Sequence, residues 1–266
     1  MDIQLAIICF LTFVIHLMGT LAYSVRIAGV RTRRIAISFA LFNILVLVSR
    51  TSNSFQVPFM AKRVEHNLDN PSDHLLADFR WLLFSATFAT LVGAILIPTF
   101  QRIFSRALLE FQNHRSVPKL LFRSVIGGGM VSLKESLRFP FSNNFTEFRT
   151  TPGVSGRVIA LNVIAMALWT VGVFAPLYAM RLAPEVRGTA NSLSPLINGV
   201  ATLLMFIVID PQMSLMTDDV VEGKMTESSF RRAIVWLVGG RFAGTLLAQV
   251  LLIPAAMLIV WVAERL

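Results

Sequence analysis

Charge is what this chain has least of. Of its 266 residues only 15% are Asp, Glu, Lys or Arg, while 55% are hydrophobic and the mean hydropathy is +0.68. Soluble domains carry roughly 25% charged residues, so a soluble domain with an ordinary polar surface is excluded. Acids are scarcer than bases, with 15 Asp and Glu against 24 Lys and Arg. Cysteine occurs once. Cys9 lies inside an apolar run, which rules out an internal disulfide framework and leaves core packing. Also missing are any Ser-His-Asp constellation, any cluster spaced to ligate a metal and any glycine loop built to cradle phosphate. His66, His74 and His114 are scattered through connections. No cofactor is expected, and an enzyme would have few groups to work with.

The sequence does contain uninterrupted apolar stretches long enough to cross ~30 Å of hydrocarbon. They are continuous rather than alternating, which excludes a transmembrane barrel. The fold class is therefore an all-α polytopic membrane protein with six transmembrane helices, at about 3–25, 35–57, 81–101, 157–180, 188–209 and 233–262. The opening MDIQLAIICFLTFVIHLMG lacks a basic leader and a small-residue cleavage site, so it is read as a retained first helix.

A net charge of +9 would suggest nucleic acid in a soluble protein. In a membrane protein, basic residues hold cytoplasmic loops in place, and no nucleic-acid partner is expected. The first connection carries Arg26, Arg31, Arg33 and Arg34. The third carries Arg102, Arg106, Arg115, Lys119, Arg123, Lys134, Arg138 and Arg149, and the fifth Lys224, Arg231 and Arg232. The other side holds fewer: Lys62, Arg63, Arg80, Arg181, Arg187 and Arg265. This bias places both termini outside the cytoplasm. The fifth connection also holds Asp210, Asp218, Asp219, Glu222 and Glu227, but the rule counts Lys and Arg rather than net charge.

Within the third connection, QRIFSRALLEFQNHR puts Ile103, Phe104, Ala107, Leu108 and Phe111 on one helical face, the pattern of a helix lying in the membrane surface. The following KLLFRSVIGGGMVSL is too short to span, and residues 117–135 read either as a second surface helix with a glycine hinge or as a re-entrant segment.

Sliding the chain against itself by 155 residues aligns Tyr23 with Tyr178, the only two tyrosines, and Arg26 with Arg181. The same shift aligns Asn43 with Asn198, Trp81 with Trp236 and Thr90 with Thr245. The expected organisation is two three-helix repeats, 1–101 and 157–266, joined by a basic cytoplasmic linker at 102–156 that carries the surface helix. An odd number of spans per copy inverts the second relative to the first, an arrangement frequent in transporters.

Polar side chains recur at helical spacing inside the spans. Helix 1 has Thr12, His16, Thr20 and Tyr23, helix 2 has Asn43 and Arg50, helix 5 has Asn191, Ser194, Asn198 and Thr202, and helix 6 has Arg241, Thr245 and Gln249. Facing lipid costs such groups several kcal/mol each, so they should converge on one interior. For the amides, His16 and the threonines, interhelical hydrogen bonding is the simpler reading. The two arginines ask for more, because no Asp or Glu is expected deep in a span to neutralise them. Arg50 is placed ~22 Å along helix 2 and Arg241 ~13 Å beyond Arg232, the latter between Gly240 and Gly244, which permit close helix contact. A planar guanidinium fork matches phosphate. The candidate substrate-binding set is Arg50, Arg241, Asn43, Asn198, His16 and Asn191, with the arginines as outer and inner stations for a phosphate-bearing substrate. Asp210, Asp218 and Asp219 read as a loop capping helix 5, or as groups coupling transport to protons or cations.

With these residues in view, the chain resembles the Amj-type lipid II flippase family, alternate to the MurJ type. The likeness is densest in HLMGTLAYSVRIAGVRTRRIAISFALFNILVLVSRTSN, LAPEVRGTANSLSPLINGVATLL, IDPQMSLMTDDVVEGKMTESSFRR and GRFAGTLLAQ. The resemblance implies a bacterial inner-membrane protein that moves lipid II, the undecaprenyl-pyrophosphate-linked peptidoglycan precursor, from the inner to the outer leaflet. Membrane lipids and lipid II are the implied partners, and no functional residues carry over. Physical chemistry agrees. A polyprenyl tail stays in lipid while the head crosses, and a negative-inside potential of ~100 mV favours outward movement of two charges by about 4–5 kcal/mol. Six helices are few to shield so large a head, so a homodimer is expected. The rival readings are a secondary transporter of another lipid-linked or small anionic substrate, a membrane enzyme acting on polyprenyl phosphates, and a scaffold for cell-wall enzymes.

Overall fold

A computed structural model describes residues 2–69, 74–114 and 153–266, with the side chains of 111–114 outside that description. The glycine-rich segment at 117–135 and most of the basic linker therefore lie outside the described residues. Six helices or helix runs are long and apolar enough to cross a membrane, and no strand occurs among the described residues. The chain is a multi-pass helical membrane protein.

The helices are longer than apolar length alone indicates, because their ends are set by caps and turns rather than by the hydrocarbon. Helix α1 spans Ile3–Thr32, α2 spans Ile35–Asp69, α3 spans Leu75–His114 and α4 spans Gly156–Leu182. The Asp2 carboxylate caps α1 by accepting from the Leu5 N–H at 2.8 Å. At its other end α1 closes on Arg33, left-handed at φ 55, with the Arg34 N–H returning to the Gly29 carbonyl. Arg26 and Arg31, expected in a loop, are thus helical.

The fifth span is not one regular helix. A 3₁₀ turn at Pro184–Val186 leads into α5 (Arg187–Ser192) and α6 (Ser194–Leu204), a π-helical turn at Met205–Ile209, and α7 (Asp210–Val221). Prolines explain where it breaks. Pro195 and Pro211 each lack an N–H and crowd the carbonyl four residues back, and the wide turn before Pro211 absorbs that conflict without ending the run. The expectation of a solvated acidic loop after residue 209 is therefore corrected. Asp210, Asp218 and Asp219 are all helical. Helix α8 (Glu227–Ala263) completes the bundle, capped by Thr226.

The amphipathic stretch after Gln101 continues α3 without interruption as far as His114. Phe104, Ala107 and Leu108 are buried, and Phe104 and Leu108 pack with Val25, Ala28 and Leu41 of α1 and α2. Over its described part this apolar face meets neighbouring helices, which also bury it from water.

In each triplet the first helix carries the packing: α1 lies along α2 and α3, and α4 lies along α8 and the fifth span. The triplets join where Phe79 of α3 stacks edge-on against Phe174 and Tyr178 of α4, with centroids 6.2 and 5.3 Å apart. The second helix of each triplet stays on the flank. Only 11% of the apolar window of α2 and 17% of that of the fifth span is buried, against 44–56% for α1, α3 and α4. Their uncovered faces display Leu47, Phe55, Val200, Leu203 and Phe206, side chains suited to lipid.

Helices α4 and α8 approach closely at the two glycines flanking Arg241. A Cβ on Gly240 would lie 2.8 Å from Asn162 Nδ2, and one on Gly244 would lie 2.6 Å from both Met166 Cβ and the Val163 carbonyl. Asn162 uses the approach to donate to the Leu237 carbonyl at 2.7 Å. At the end of the bundle where α1 begins, Arg63 of α2 bridges Asp2 at 2.6 Å and Asp78 of α3 at 2.7 Å, tying three helices together.

Two outcomes are expected. Gly244→Val overpacks the α4–α8 seam and should lower the unfolding free energy in detergent by about 1–3 kcal/mol, read from a thermal or denaturant midpoint. An unchanged midpoint would show the seam to be loose. The Leu5 N–H, and then Arg63, hold the Asp2 carboxyl below the usual carboxylate range. A depressed pKa contributes stability above the unfolded value, and that contribution is lost as pH falls through the folded one. Because Asn keeps the cap, Asp2→Asn should lower the midpoint slightly near neutrality, and the deficit should close below about pH 4. The effect is small because the Asp2 side chain is 56% exposed. A deficit constant down to acid pH would assign the loss to packing.

Candidate anion-binding site

Arg241 is a costly side chain to bury. It is 6% exposed, between α1 and α4. Gly19 makes room for it: a Cβ there would land on the guanidinium Nη2. The polar contact of the fork among the described residues is soft, Nη1 donating to Met166 Sδ at 3.0 Å, and Nε has no partner among them. His16, one turn along α1 and also buried, leaves Nδ1 without a described partner. Tyr23, one turn to the other side, lies within electrostatic reach of Arg241. A guanidinium desolvated without a carboxylate is a high-energy group. Here it is arranged with an imidazole and a phenol along one face of α1, all three able to bind an anion.

Arg50 is different. It is exposed on the outward face of α2 and forms no ion pair with a described residue. Since α2 continues through Pro58 to Asp69, Arg50 sits about 22 Å from one end of the helix and about 28 Å from the other. The register of α1 against α2 fixes its level. Gly29 lies beside Ser38, the Ile15 carbonyl accepts from Ser49 Oγ at 3.4 Å, and the Phe59 carbonyl accepts from Gln4 Nε2 at 3.3 Å. Arg50 is therefore level with Ile15, about one turn of α1 from Gly19 and Arg241. The two arginines differ more in burial than in depth, one behind α1 and one on the open flank.

The remaining candidates divide. Asn43 and Asn191 are exposed on the flanking spans. Asn198 is half-buried against Gly172 and donates to Ser194 Oγ at 3.2 Å, while its Oδ1 is buried without a described partner. The buried threonines serve their own helices: Thr12, Thr20 and Thr245 each donate to a carbonyl one turn back. Asp218 and Asp219 sit at the end of α7, where their backbone carbonyls close the turn to Lys224.

Asp210 is half-buried. Its Oδ1 accepts from Arg26 Nη2 at 3.0 Å, so α1 is ion-paired to α7 across the two triplets. Arg50 and Arg241 form no ion pair with a described acid, and Asp210, just past the expected end of the fifth span, pairs with Arg26 instead. The Arg26 fork also lies over the rings of Phe42 and Phe39, 4.9 and 5.8 Å from their centroids. Sequence reasoning missed Arg26 because it counted the residue with a basic loop. The available signal was its place on the same helical face as His16 and Tyr23.

Comparison with known proteins bears on this arrangement. The family described as Amj, Alternate to MurJ, matches residues 11–263. The chain belongs to the Amj family. It is similar to the Lipid II flippase Amj of Bacillus subtilis (strain 168), with 38% identity over 265 residues, covering 98% of this chain and 96% of that protein. No solved structure matches significantly. His16, Tyr23, Arg26, Asn43, Arg50, Asn191, Asn198, Asp210 and Arg241 all fall within the span that matches the family.

The cost of burying Arg241 gives a check on its role. Replacing an unpaired buried charge with an apolar side chain of similar length is often neutral or stabilising. Arg241→Met is expected to unfold in detergent at a temperature equal to or above that of the parent. A fall worth more than about 2 kcal/mol would make the guanidinium a structural strut.

Proposed function

We propose that this protein is a flippase that moves lipid II from the inner to the outer leaflet of the bacterial inner membrane for cell-wall synthesis. The observation that carries the reading is Arg241, a buried guanidinium without a described carboxylate partner, in a chain 38% identical along nearly its whole length to a protein named as a lipid II flippase. A pyrophosphate is the anion such a group would take, through the bidentate geometry of its fork.

In this reading the polyprenyl tail stays in the bilayer beside the uncovered faces of α2 and the fifth span, and the head group crosses along the polar groups of α2, Asn43 and Arg50. Arg241 takes the pyrophosphate when α1 and α8 part, with His16 beside it. The halves 1–101 and 157–266 act as inverted repeats that exchange inward-open and outward-open shapes, joined on the cytoplasmic side by 102–156. Both termini lie outside the cytoplasm, following the Lys and Arg bias. The membrane potential drives the anion outward, and a second copy of the chain helps enclose the head.

The test uses cells whose own lipid II flippase is depleted. With this protein expressed, an impermeant external probe should label lipid II, and labelling should fall at least tenfold in Arg50→Ala and Arg241→Ala proteins that still insert. Labelling lost with the unaltered, inserted protein would move the reading to a different lipid-linked or small anion. Undiminished labelling in both variants would overturn the site.

A further inference from the structure

The Arg26–Asp210 pair has features of an occupied binding site rather than of a simple strut. Arg26 is largely covered, its side chain 10% exposed, yet only Nη2 meets the carboxylate, and Nη1 is enclosed without a partner among the described residues. In the Arg63 tie, by contrast, two carboxylates share the fork, through Nη1 and Nε, so the Arg26 fork has donor capacity to spare. The guanidinium stands over Phe42 and Phe39 at the edge of a small pocket lined also by Ile35, Ser38 and Thr217. That pocket is shared by α1, α2 and α7, so it opens at a boundary between the triplets. Asp210 is 35% exposed and follows directly on the five-residue π turn at Met205–Ile209, a kind of turn frequent at functional sites.

Position along α1 connects this pocket to Arg241. Gly19, against which Arg241 packs, and Arg26 are seven residues apart, hence on one helical face with about 10 Å between them. Tyr23 stands between and is within electrostatic reach of both guanidinium groups and of Asp210. Arg31, Arg33 and Arg34 follow at the same end of α1.

We propose that Arg26 is a second phosphate-binding residue and that Asp210 occupies it as an internal stand-in for the substrate's phosphate. An arriving pyrophosphate, with more terminal oxygens than a carboxylate, takes both arms of the fork and displaces Asp210. Displacement breaks the ion pair between the triplets and leaves the head group two turns of α1 from Arg241. Occupancy of the site and release of the latch are then one event. The proposal deepens the flippase reading and rests on its assumption that the substrate carries a pyrophosphate.

The full chain in detergent tests it, with undecaprenyl pyrophosphate and inorganic pyrophosphate as probes and direct titration as readout. Asp210→Asn frees the fork and should tighten pyrophosphate binding about tenfold, whereas Arg26→Gln should weaken it at least tenfold and Arg26→Lys should restore part of the loss. The double variant Arg26→Gln with Asp210→Asn removes both charges together, so weak binding in a folded double variant assigns the loss to the fork. Affinity that is unchanged or weaker in Asp210→Asn would overturn the stand-in and make the pair a strut. Equal responses to both probes place recognition in the pyrophosphate alone, and a response to the lipid only adds the tail, either supporting the site. If binding follows this pattern while the parent fails to expose lipid II in depleted cells, the flippase reading falls and the site stands for another pyrophosphate. If lipid II is exposed but binding ignores both residues, the inference alone falls.

Discussion

In hydrocarbon a backbone amide has no water to fall back on, so each must be satisfied within its own helix. Once six segments have met that requirement, the remaining variable is how closely they approach and what they enclose. Here glycine governs the approach. Gly240 and Gly244 bring α8 onto α4, and Gly19 leaves the space on α1 that the Arg241 guanidinium fills. Absence of a side chain thus closes the seam at Gly240 and Gly244 and makes burial of a cation possible at Gly19, so packing and candidate chemistry rest on the same device.

The arginines of the bundle experience different environments. Arg63 is matched by Asp2 and Asp78, a tie near one end that needs nothing further. Arg26 is half-matched by Asp210 and supported by two aromatic rings. Arg241 has a thioether, and Arg50 faces outward from α2. Pairing within the protein thus falls off from Arg63 through Arg26 to Arg241. In the proposed flippase, the least-paired of these groups are the ones left free to meet a substrate anion.

The flanking spans fit that role. Helix α2 and the fifth span bury little of their surface, and the fifth span is interrupted at Leu193 and again by the π turn. Segments that give up little packing when they move are the ones expected to open. Asp210 is mounted on the more broken of the two.

By itself the sequence determined the helical class, the six spans and the polar face of α1, because the spacing of apolar residues and the demand for backbone bonding act locally. It also located Arg241 and its glycines, a signal confined to five consecutive residues, GGRFA, and the Gly244 that follows them. It misplaced what depends on distant partners. Phe104 and Leu108 suit a membrane surface equally well until α1 and α2 are there to cover them. Acids after Ile209 suggest a loop until a π turn carries the helix past Pro211, and Arg26 belongs to a basic connection until a residue 184 positions later supplies its counter-charge. The levels of Arg50 and Arg241 were likewise undecidable from helix length. They follow from the register of α2 on α1 and of α8 on Gly19, and register is a property of packed surfaces that no single segment carries.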